Sequence, residues 1–292
     1  MKSKTIGDKL IDIVIILIMI ILAACVMLPM LNIVSLSLTS AQEIATKRTI
    51  IIPTNINFDG YRAMLDSGSV LLAGFKVTFL RVIIGTTINL LCSYFVGFAL
   101  AKPDLPGRTW ITFFFFFTML FGGGLIPTYI VVKSVGLINN FWVYILPGVM
   151  SVWNMLLIRN FIMNIPQALF ESAQIDGAGN LRVIFQIALP LSVPALATIG
   201  LFYAVAHWNA WWDSYLYTSK IELQTAQLVL RDILARANMQ VKDSLYALDK
   251  IKPPSRAVQN AAVIITTAPI LLVYPLLQKY YVKGIITGAV KG

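Results

Sequence analysis

Histidine and cysteine are nearly missing from this sequence: His207, Cys25 and Cys92 are the whole supply among 292 residues. Zinc sites and disulfide frameworks need several such residues at set spacings, and a catalytic triad needs a histidine beside its nucleophile. Both cysteines lie in apolar runs, where they pack as small residues. We therefore expect no disulfide, no metal site, no catalytic residue and no cofactor bound by this chain.

Charge is also scarce. Charged residues make up 12% of the chain and hydrophobic residues 58%, which is more apolar surface than one soluble core could bury. Segments that cross lipid must satisfy their own backbone groups, so an all-α membrane protein is expected. Six apolar windows of roughly 20 residues predict six spans. They cover residues 10–36, 77–100, 110–132, 141–158, 183–212 and 258–277, with kinks expected at Pro29, Pro127, Pro194 and Pro269.

Basic residues near the predicted spans set the orientation, because short cytoplasmic loops are rich in Lys and Arg. The residues that carry this signal are Lys2, Lys4, Lys9, Lys102, Arg108, Lys279, Lys283 and Lys291. They predict two cytoplasmic tails, 1–9 and 278–292, around a membrane domain 10–277. An inner loop 159–182 and two outer loops, 38–75 and 213–257, complete this topology.

Several common functions are excluded or unsupported. The net charge of +10 is scattered, with no basic patch interleaved with aromatics, so a nucleic-acid partner is excluded.

The triple glycine Gly122–Gly124 lacks the lysine of a phosphate-binding loop, and close packing or a bend is expected there instead. The letters "LAAC" ending at Cys25 are typical of a lipoprotein signal. The apolar run continues beyond Cys25, which favours an uncleaved first span.

The inner loop contains the most specific pattern in the chain. Pro166 suits the start of a helix, and "QALFESAQID" continues without a breaker. At helical spacing Phe170, Ala173 and Gly177 share one side, and Glu171, Gln174 and Ala178 share another. Gly177 and Gly179 allow a sharp reversal, and Asn180 is expected to cap a second helix. The loop therefore predicts a helix-turn-helix at the membrane surface.

This loop resembles the EAA motif of ABC importer permeases, which reads E-A-A, three residues, G, nine residues, I-x-L-P. Glu171, Ser172, Ala173 and Gly177 match it, as do Ile187, Leu189 and Pro190, with every spacing kept and Ser172 as the single departure. The resemblance extends over most of the chain. It is closest to the maltose-permease-like class for carbohydrates, and within it to permeases for complex plant or algal oligosaccharides that use a binding lipoprotein.

The resemblance implies a function and a set of partners. The short helix would be a coupling helix that docks on a cytoplasmic ATPase subunit, with Phe170, Glu171, Ser172, Ala173, Asp176, Gly177, Leu189 and Pro190 as the coupling residues. The expected partners are a second homologous permease, two ATPase subunits that use ATP and Mg²⁺, and an extracellular binding lipoprotein. The expected location is the bacterial cytoplasmic membrane, in contact with lipid.

Candidates for the substrate pathway lie in or near the spans: Asn89, Asn154, Trp208, Asn209, Trp212 and Tyr215. Aromatic faces stack on sugar rings, but an interfacial aromatic belt explains the same residues. Each asparagine is either a helix–helix hydrogen bond or a substrate contact. Lys242, Lys250, Lys252 and Arg256 favour an acidic oligosaccharide, and a solvated charged surface explains them equally well.

Two other classes compete with this interpretation: an ATP-independent membrane carrier and an integral membrane enzyme. Neither gives a reason for the EAA spacing. We therefore expect a non-catalytic transmembrane subunit that forms half of a translocation pathway.

Overall fold

The computed structural model describes residues 6–47, 50, 52–66, 68–239 and 255–289, and this part of the chain is helical with no strand. The all-α prediction is therefore confirmed for the described residues. The α-helices are α1 (Ile6–Ser37), α2 (Ala41–Thr46), α3 (Asp59–Leu65), α4 (Val70–Ala101), α5 (Arg108–Leu120), α6 (Leu125–Ser134), α7 (Val152–Met163), α8 (Gln167–Ile175), α9 (Asn180–Arg182), α10 (Leu189–Asn209), α11 (Trp212–Tyr217), α12 (Ala226–Met239) and α13 (Arg256–Ala289). Short 3-10 turns cover Phe141–Tyr144, Leu146–Gly148 and Ile221–Leu223, and a π-helical turn, Val183–Ala188, joins α9 to α10.

Four stretches within the described residues are long and apolar enough to cross a membrane: Gly7–Ser37, Val70–Ala101, Asn180–Asn209 and Arg256–Val273. Two further helix pairs pass the same test together but are bent. The described residues therefore contain four candidate spans, or up to six if each bent pair counts as one.

The predicted third and fourth spans are not single helices. The expected bend at the triple glycine is present: α5 and α6 meet at 114° across residues 121–124. Gly124 takes a φ of 86°, a conformation that favours glycine and ends the helical path. In the fourth span, the 3-10 turns that contain Pro147 meet α7 at 53°. Proline lacks the amide hydrogen that a continuous helix needs, and α7 restarts at Ser151, whose hydroxyl caps the Asn154 amide at 3.4 Å.

The chain divides into two compact units, and the first comprises Met1–Leu71 and Leu230–Ala268. Within this unit α3 packs closely on α13. A Cβ on Gly60 would lie 3.0 Å from the Ala257 carbonyl oxygen, so a larger residue would push the helices apart. The end of α1 is tied to the same region because the Ser37 and Tyr61 hydroxyls are 2.7 Å apart. Most side chains of α1 are exposed, as expected of a helix that lies in lipid or against another subunit.

The second unit, Leu72–Val229 and Pro269–Gly292, contains the main core. Residues of α4, α7 and the α9–α10 helix form this core: Tyr94, Phe98, Ile158, Ile162, Val183, Ala188, Leu196, Ile199 and Tyr203. Gly97 permits close approach, since a Cβ there would lie 3.1 Å from the Met155 carbonyl oxygen of α7. The predicted second span, 77–100, falls within α4. Helix α4 begins at Val70, and Arg81 is buried inside it.

Some sequence predictions concern residues outside the described part. These are the tail residues 1–5 and 290–292 and residues 240–254 of the long loop, with Lys242, Lys250 and Lys252. Helix α13 continues through Ala289, beyond the predicted end of the sixth span at residue 277.

Candidate functional site

The EAA-like residues form one continuous surface feature, Gln167–Pro190, which we call the motif segment. Helix α8 begins after Pro166, whose extended backbone (φ −55°, ψ 125°) turns the chain out of the loop that follows α7. It ends at Asp176, and the predicted helix-turn-helix is present. The sequence-based expectation that Asn180 caps the next helix is wrong, because Gly179 occupies the cap position. The Asn180 side-chain oxygen instead accepts a hydrogen bond from Lys102 Nζ at 2.7 Å.

Gly177 closes α8 through a Schellman motif. Its φ is 78°, and its amide donates to the Gln174 carbonyl at 3.0 Å while the Ala178 amide donates to the Ala173 carbonyl at 2.8 Å. These two bonds satisfy carbonyls that a helix end otherwise leaves unpaired. A Cβ on Gly177 would meet nothing within 4 Å in this chain. The glycine is therefore required by its backbone conformation and not by crowding within the subunit.

Helix α8 has an inward face and an outward face. Phe170, Ala173 and the following Ala178 pack against the core of the second unit. Ala173 therefore serves packing within the chain. Glu171, Ser172 and Asp176 are exposed, and Ile175 is 86% exposed. Sequence analysis did not single out Ile175, although an isoleucine on the polar side of an amphipathic helix is the signal that points to it.

The I-x-L-P end of the motif shapes the helix that follows. Pro190 cannot donate to the carbonyl of residue 186, and its ring crowds that carbonyl in a regular α-helix. The π-helical turn Val183–Ala188 stands immediately before it and widens the helix at this point. Tyr94 donates its hydroxyl to the Ile184 carbonyl at 2.8 Å. Leu189 packs against the core, and Pro190 is exposed. The end of the π-helical turn therefore has one packed face and one exposed face.

A second polar cluster lies further back along α4, where Arg81 stands 13 residues, about 20 Å at 1.5 Å per residue, before the motif contact Tyr94. Arg81 is 4% exposed and makes a two-point ion pair with Asp213, with 2.9 Å between Nη1 and Oδ1. Its Nε donates to His207 Nδ1 at 3.2 Å, and its guanidinium lies 4.7 Å from the centre of the Tyr144 ring. We call Arg81, Asn89, Tyr144, His207 and Asp213 the polar network. It joins α4, α10, α11 and the 3-10 turn at Phe141.

The polar network also fixes the histidine. Because Arg81 donates to Nδ1, a neutral His207 ring carries its proton on Nε2. Nε2 lies 3.2 Å from Asn89 Nδ2, and because both nitrogens then carry protons this contact is not a hydrogen bond. Nδ2 donates instead to the Gly148 carbonyl at 3.3 Å. A Cβ on Gly85 would lie 2.6 Å from Nε2, so the glycine leaves room for the ring against α4. Asn89 therefore bonds to the turn before α7, and its role in a substrate pathway stays a prediction.

The segment after α11 is anchored by small hydroxyls. Tyr144 donates to the Leu223 carbonyl and lies 3.1 Å from the Ser214 hydroxyl, and the same Ser214 oxygen accepts from the Thr225 amide at 3.2 Å. Thr78 of α4 accepts from the Ala226 amide at 3.0 Å. These bonds hold residues 210–229 onto α4 through side chains that are fully or nearly fully buried.

The remaining pathway candidates occupy different environments. Trp208 is 6% exposed and packs in an aromatic cluster with Phe75 and Phe79. Trp212 and Tyr215 are exposed and stacked, with ring centres 5.8 Å apart. Asn154 is buried in α7, and Asn209 donates to the Val205 carbonyl of its own helix at 2.9 Å. The structure brings the two exposed aromatics together and keeps the other candidates separate from them.

The fold and the motif segment define a multi-pass membrane transport subunit, and comparison with known proteins gives its family. The polygalacturonan/rhamnogalacturonan transport system permease protein YtcP of Bacillus subtilis (strain 168) is 37% identical over 285 residues, which cover 98% of this chain and 99% of that protein. The chain belongs to the permeases of carbohydrate ABC importers. It is a non-catalytic subunit, as predicted. The chain matches no family model.

Solved structures agree with this assignment. The crystal structure of a bacterial ABC transporter involved in the import of the acidic polysaccharide alginate matches with a TM-score of 0.86 and 26% identity, over 96% of this chain and 100% of the other. A bacterial alginate ABC transporter in complex with an alginate pentasaccharide-bound periplasmic protein matches with a TM-score of 0.59 at 17% identity, over 93% of each chain. The second likeness shows the fold alone.

Proposed function

We propose that this chain is one of two nonidentical permease subunits of an importer in the bacterial cytoplasmic membrane, with six spans and both termini in the cytoplasm. Each bent helix pair then counts as one span of the membrane domain 10–277. The hydrogen bond between Lys102 and Asn180 supports the topology. It links the α4–α5 connection to the motif segment, so both connections lie on one side, and Lys102 and Arg108 make that side the cytoplasm.

The outward face of α8 is the proposed coupling surface for a cytoplasmic ATPase subunit. The observation that carries this proposal is the exposure of Ile175 and Glu171 on a helix whose other face is packed into the core. An exposed isoleucine beside a carboxylate suits a partner groove with an apolar floor and a basic rim. Since α8 is closed by the Schellman turn and followed by the π-helical turn, displacement of α8 would pass to α10. ATP and Mg²⁺ belong to the two ATPase subunits in this assignment.

The proposed substrate is an oligosaccharide delivered by an extracellular binding lipoprotein. The Bacillus subtilis relative is a polygalacturonan/rhamnogalacturonan permease, and the structural neighbour is involved in the import of the acidic polysaccharide alginate. The stacked pair Trp212 and Tyr215 offers flat apolar faces of the kind that pack on sugar rings. An acidic oligosaccharide is therefore the proposed substrate class.

The coupling proposal is tested in the complete importer, reconstituted with its ATPase subunits and binding protein. Ile175→Asp places a charge in the docking surface, and we expect transport-coupled ATP hydrolysis to fall by roughly tenfold or more. Ile52→Asp is the matched control, because Ile52 is 80% exposed on a predicted outer loop. Glu171→Lys should also impair coupling, and Glu171→Gln less so. Unchanged coupling in Ile175→Asp with normal assembly would refute the proposal.

The substrate proposal is tested by uptake into the same proteoliposomes. Acidic oligosaccharides such as short galacturonides should be transported, and neutral oligosaccharides of equal length should compete weakly. Preferential uptake of the neutral sugars would contradict the acidic assignment and leave the coupling mechanism intact.

A further inference from the structure

A wide cavity of about 930 Å³ opens at the start of α5 and along one side of α7. Its walls include Gly107, Arg108, Thr109 and Trp110 from the start of α5, and Arg159 and Asn160 from α7. We call this the basic cavity. None of its lining residues belongs to α8 or to the polar network, although Arg108 also lines a smaller cavity beside Gln167 and Phe170 of α8. Nothing in the proposed transport mechanism uses the basic cavity.

Two arginines give the basic cavity its charge. Arg159 donates its Nε to the Leu100 carbonyl at 3.1 Å, and Arg108 reaches only the Met163 sulfur, at 3.5 Å. Neither guanidinium makes an ion pair with any other described residue. The two positive charges face the same space and repel each other. Cations in a membrane segment are costly unless they meet an anion, so this pair favours an anionic ligand.

The beginning of α5 adds hydrogen-bond donors to the same cavity. Gly107 stands at the cap position with a φ of 72° and supplies no side chain to pair the first amides. The amides of Thr109 and Trp110 therefore lack the side-chain cap that most helices use, and the positive end of the helix faces the cavity. Two arginines without a carboxylate partner and an uncapped helix start suit a phosphate group.

The surroundings of the basic cavity identify the source of that phosphate. Trp110 is 77% exposed, and Phe113 and Phe116 of the same helix line the cavity with 57% and 44% of their surfaces exposed. Tryptophan followed by an apolar run is typical of the headgroup level of a membrane. We propose that the basic cavity binds the phosphate of an anionic phospholipid, with its acyl chains lying along α5. The assignment to the inner leaflet rests on the proposed topology, and the binding itself does not.

The proposal is tested by native mass spectrometry of the purified importer, with phosphatidylglycerol and phosphatidylcholine as probes. The wild-type complex should retain phosphatidylglycerol preferentially. Each of Arg108→Gln and Arg159→Gln should weaken that preference about fivefold, from the contribution of one basic residue near an anionic membrane. Arg108→Lys keeps the charge and should keep most of the preference. Arg182→Gln is the matched control, since Arg182 is exposed on the same predicted side and lies outside the cavity.

Other outcomes would overturn the proposal. If inorganic phosphate displaces phosphatidylglycerol completely at millimolar concentration, the ligand is a soluble phosphate. If Arg182→Gln lowers the preference as much as Arg108→Gln, the effect is general surface charge. If the wild type shows no preference, and Asn160→Cys cross-links efficiently to the second permease, the cavity is a protein interface. None of these outcomes bears on coupling through Ile175.

Discussion

The motif segment and the polar network contact different parts of α4 and use polar residues in opposite ways. The motif segment exposes Glu171, Asp176 and Ile175 and buries only small or apolar side chains. The polar network buries an arginine, a histidine and an asparagine; Arg81 pairs with His207 and Asp213, and Asn89 donates to the Gly148 carbonyl. The motif segment therefore leaves its polar groups exposed, and the polar network pairs most of its polar groups within the chain.

This difference predicts how the motif segment and the polar network respond to substitution. A solvated charge on α8 contributes little to stability, because water replaces any partner it loses. Arg81 has no such replacement, since removing one member of a buried ion pair leaves the other charge unpaired. Function is thus expected to be sensitive at the motif segment, and folding at the polar network.

The largest effect is expected from breaking the polar network. Asp213→Leu leaves Arg81 buried without its anion and should cost about 3–5 kcal/mol of unfolding free energy. The double variant Arg81→Leu with Asp213→Leu removes both charges and should recover much of that loss. The measurement is the thermal unfolding midpoint of the purified permease complex. Lys76→Leu, an exposed cation five residues earlier on α4, is the control and should change the midpoint little. Equal losses in the single and double variants would show that the ion pair is not the source of stability.

The motif segment was largely predictable from sequence because its determinants are local. Pro166 and Gly177 act on their own backbone, and helical spacing within α8 sets which residues share a face. Even here one assignment was wrong. Asparagine often caps helices, but the Asn180 side-chain oxygen accepts a hydrogen bond from Lys102, 78 residues away in the α4–α5 connection. Residue preferences for cap positions are local and cannot predict a hydrogen bond to Lys102.

The polar network could not be predicted in the same way. Arg81 and Asp213 are 132 residues apart, and in the sequence each marks the edge of an apolar window. Charges at such an edge usually reach the interface, so the sequence gives no reason to expect a buried partner for Arg81. The pair exists because α10 ends at Asn209 and α11 turns Asp213 back towards α4, which is a tertiary event. Gly85, beside His207, carries no sequence signal beyond being a glycine in a helix.

A smaller effect is expected at Gly177. Its substitutions distinguish a requirement for the left-handed backbone conformation from a lack of room for a side chain. Gly177→Leu must adopt a left-handed conformation, which costs about 1–2 kcal/mol for an ordinary residue. Gly177→Asn tolerates that conformation better and should preserve the Schellman turn. We expect coupled ATP hydrolysis and the unfolding midpoint to fall in Gly177→Leu and to be largely retained in Gly177→Asn. If both variants assemble and both lose coupling, the constraint is lack of space against the ATPase subunit. Normal coupling in Gly177→Leu would remove Gly177 from the mechanism.

The smallest effect is expected from the Glu43–Lys47 ion pair in the first unit, whose lysine is exposed, and this sharpens the contrast with the buried Arg81. Glu43 accepts hydrogen bonds from Lys47 at 2.8 Å and from the Thr54 hydroxyl at 2.6 Å, and these partners lower the pKa of Glu43 from 4.5 to about 2. A lowered pKa means that the folded state favours the ionised form. Its stabilising contribution is therefore complete above pH 4.5 and is lost as the pH falls towards 2.

Glu43→Gln isolates this contribution. The difference in unfolding midpoint between wild type and Glu43→Gln should be small at pH 7, because exposed ion pairs contribute little, and should shrink further as the pH is lowered below 4.5. Lys47→Met should show the same trend, since Lys47 is the first cause of the lowered pKa. Asp213→Leu is the contrasting variant, whose loss is expected to be several times larger at pH 7. If Glu43→Gln were as destabilising as Asp213→Leu, burial of the cation would not be what separates the two ion pairs.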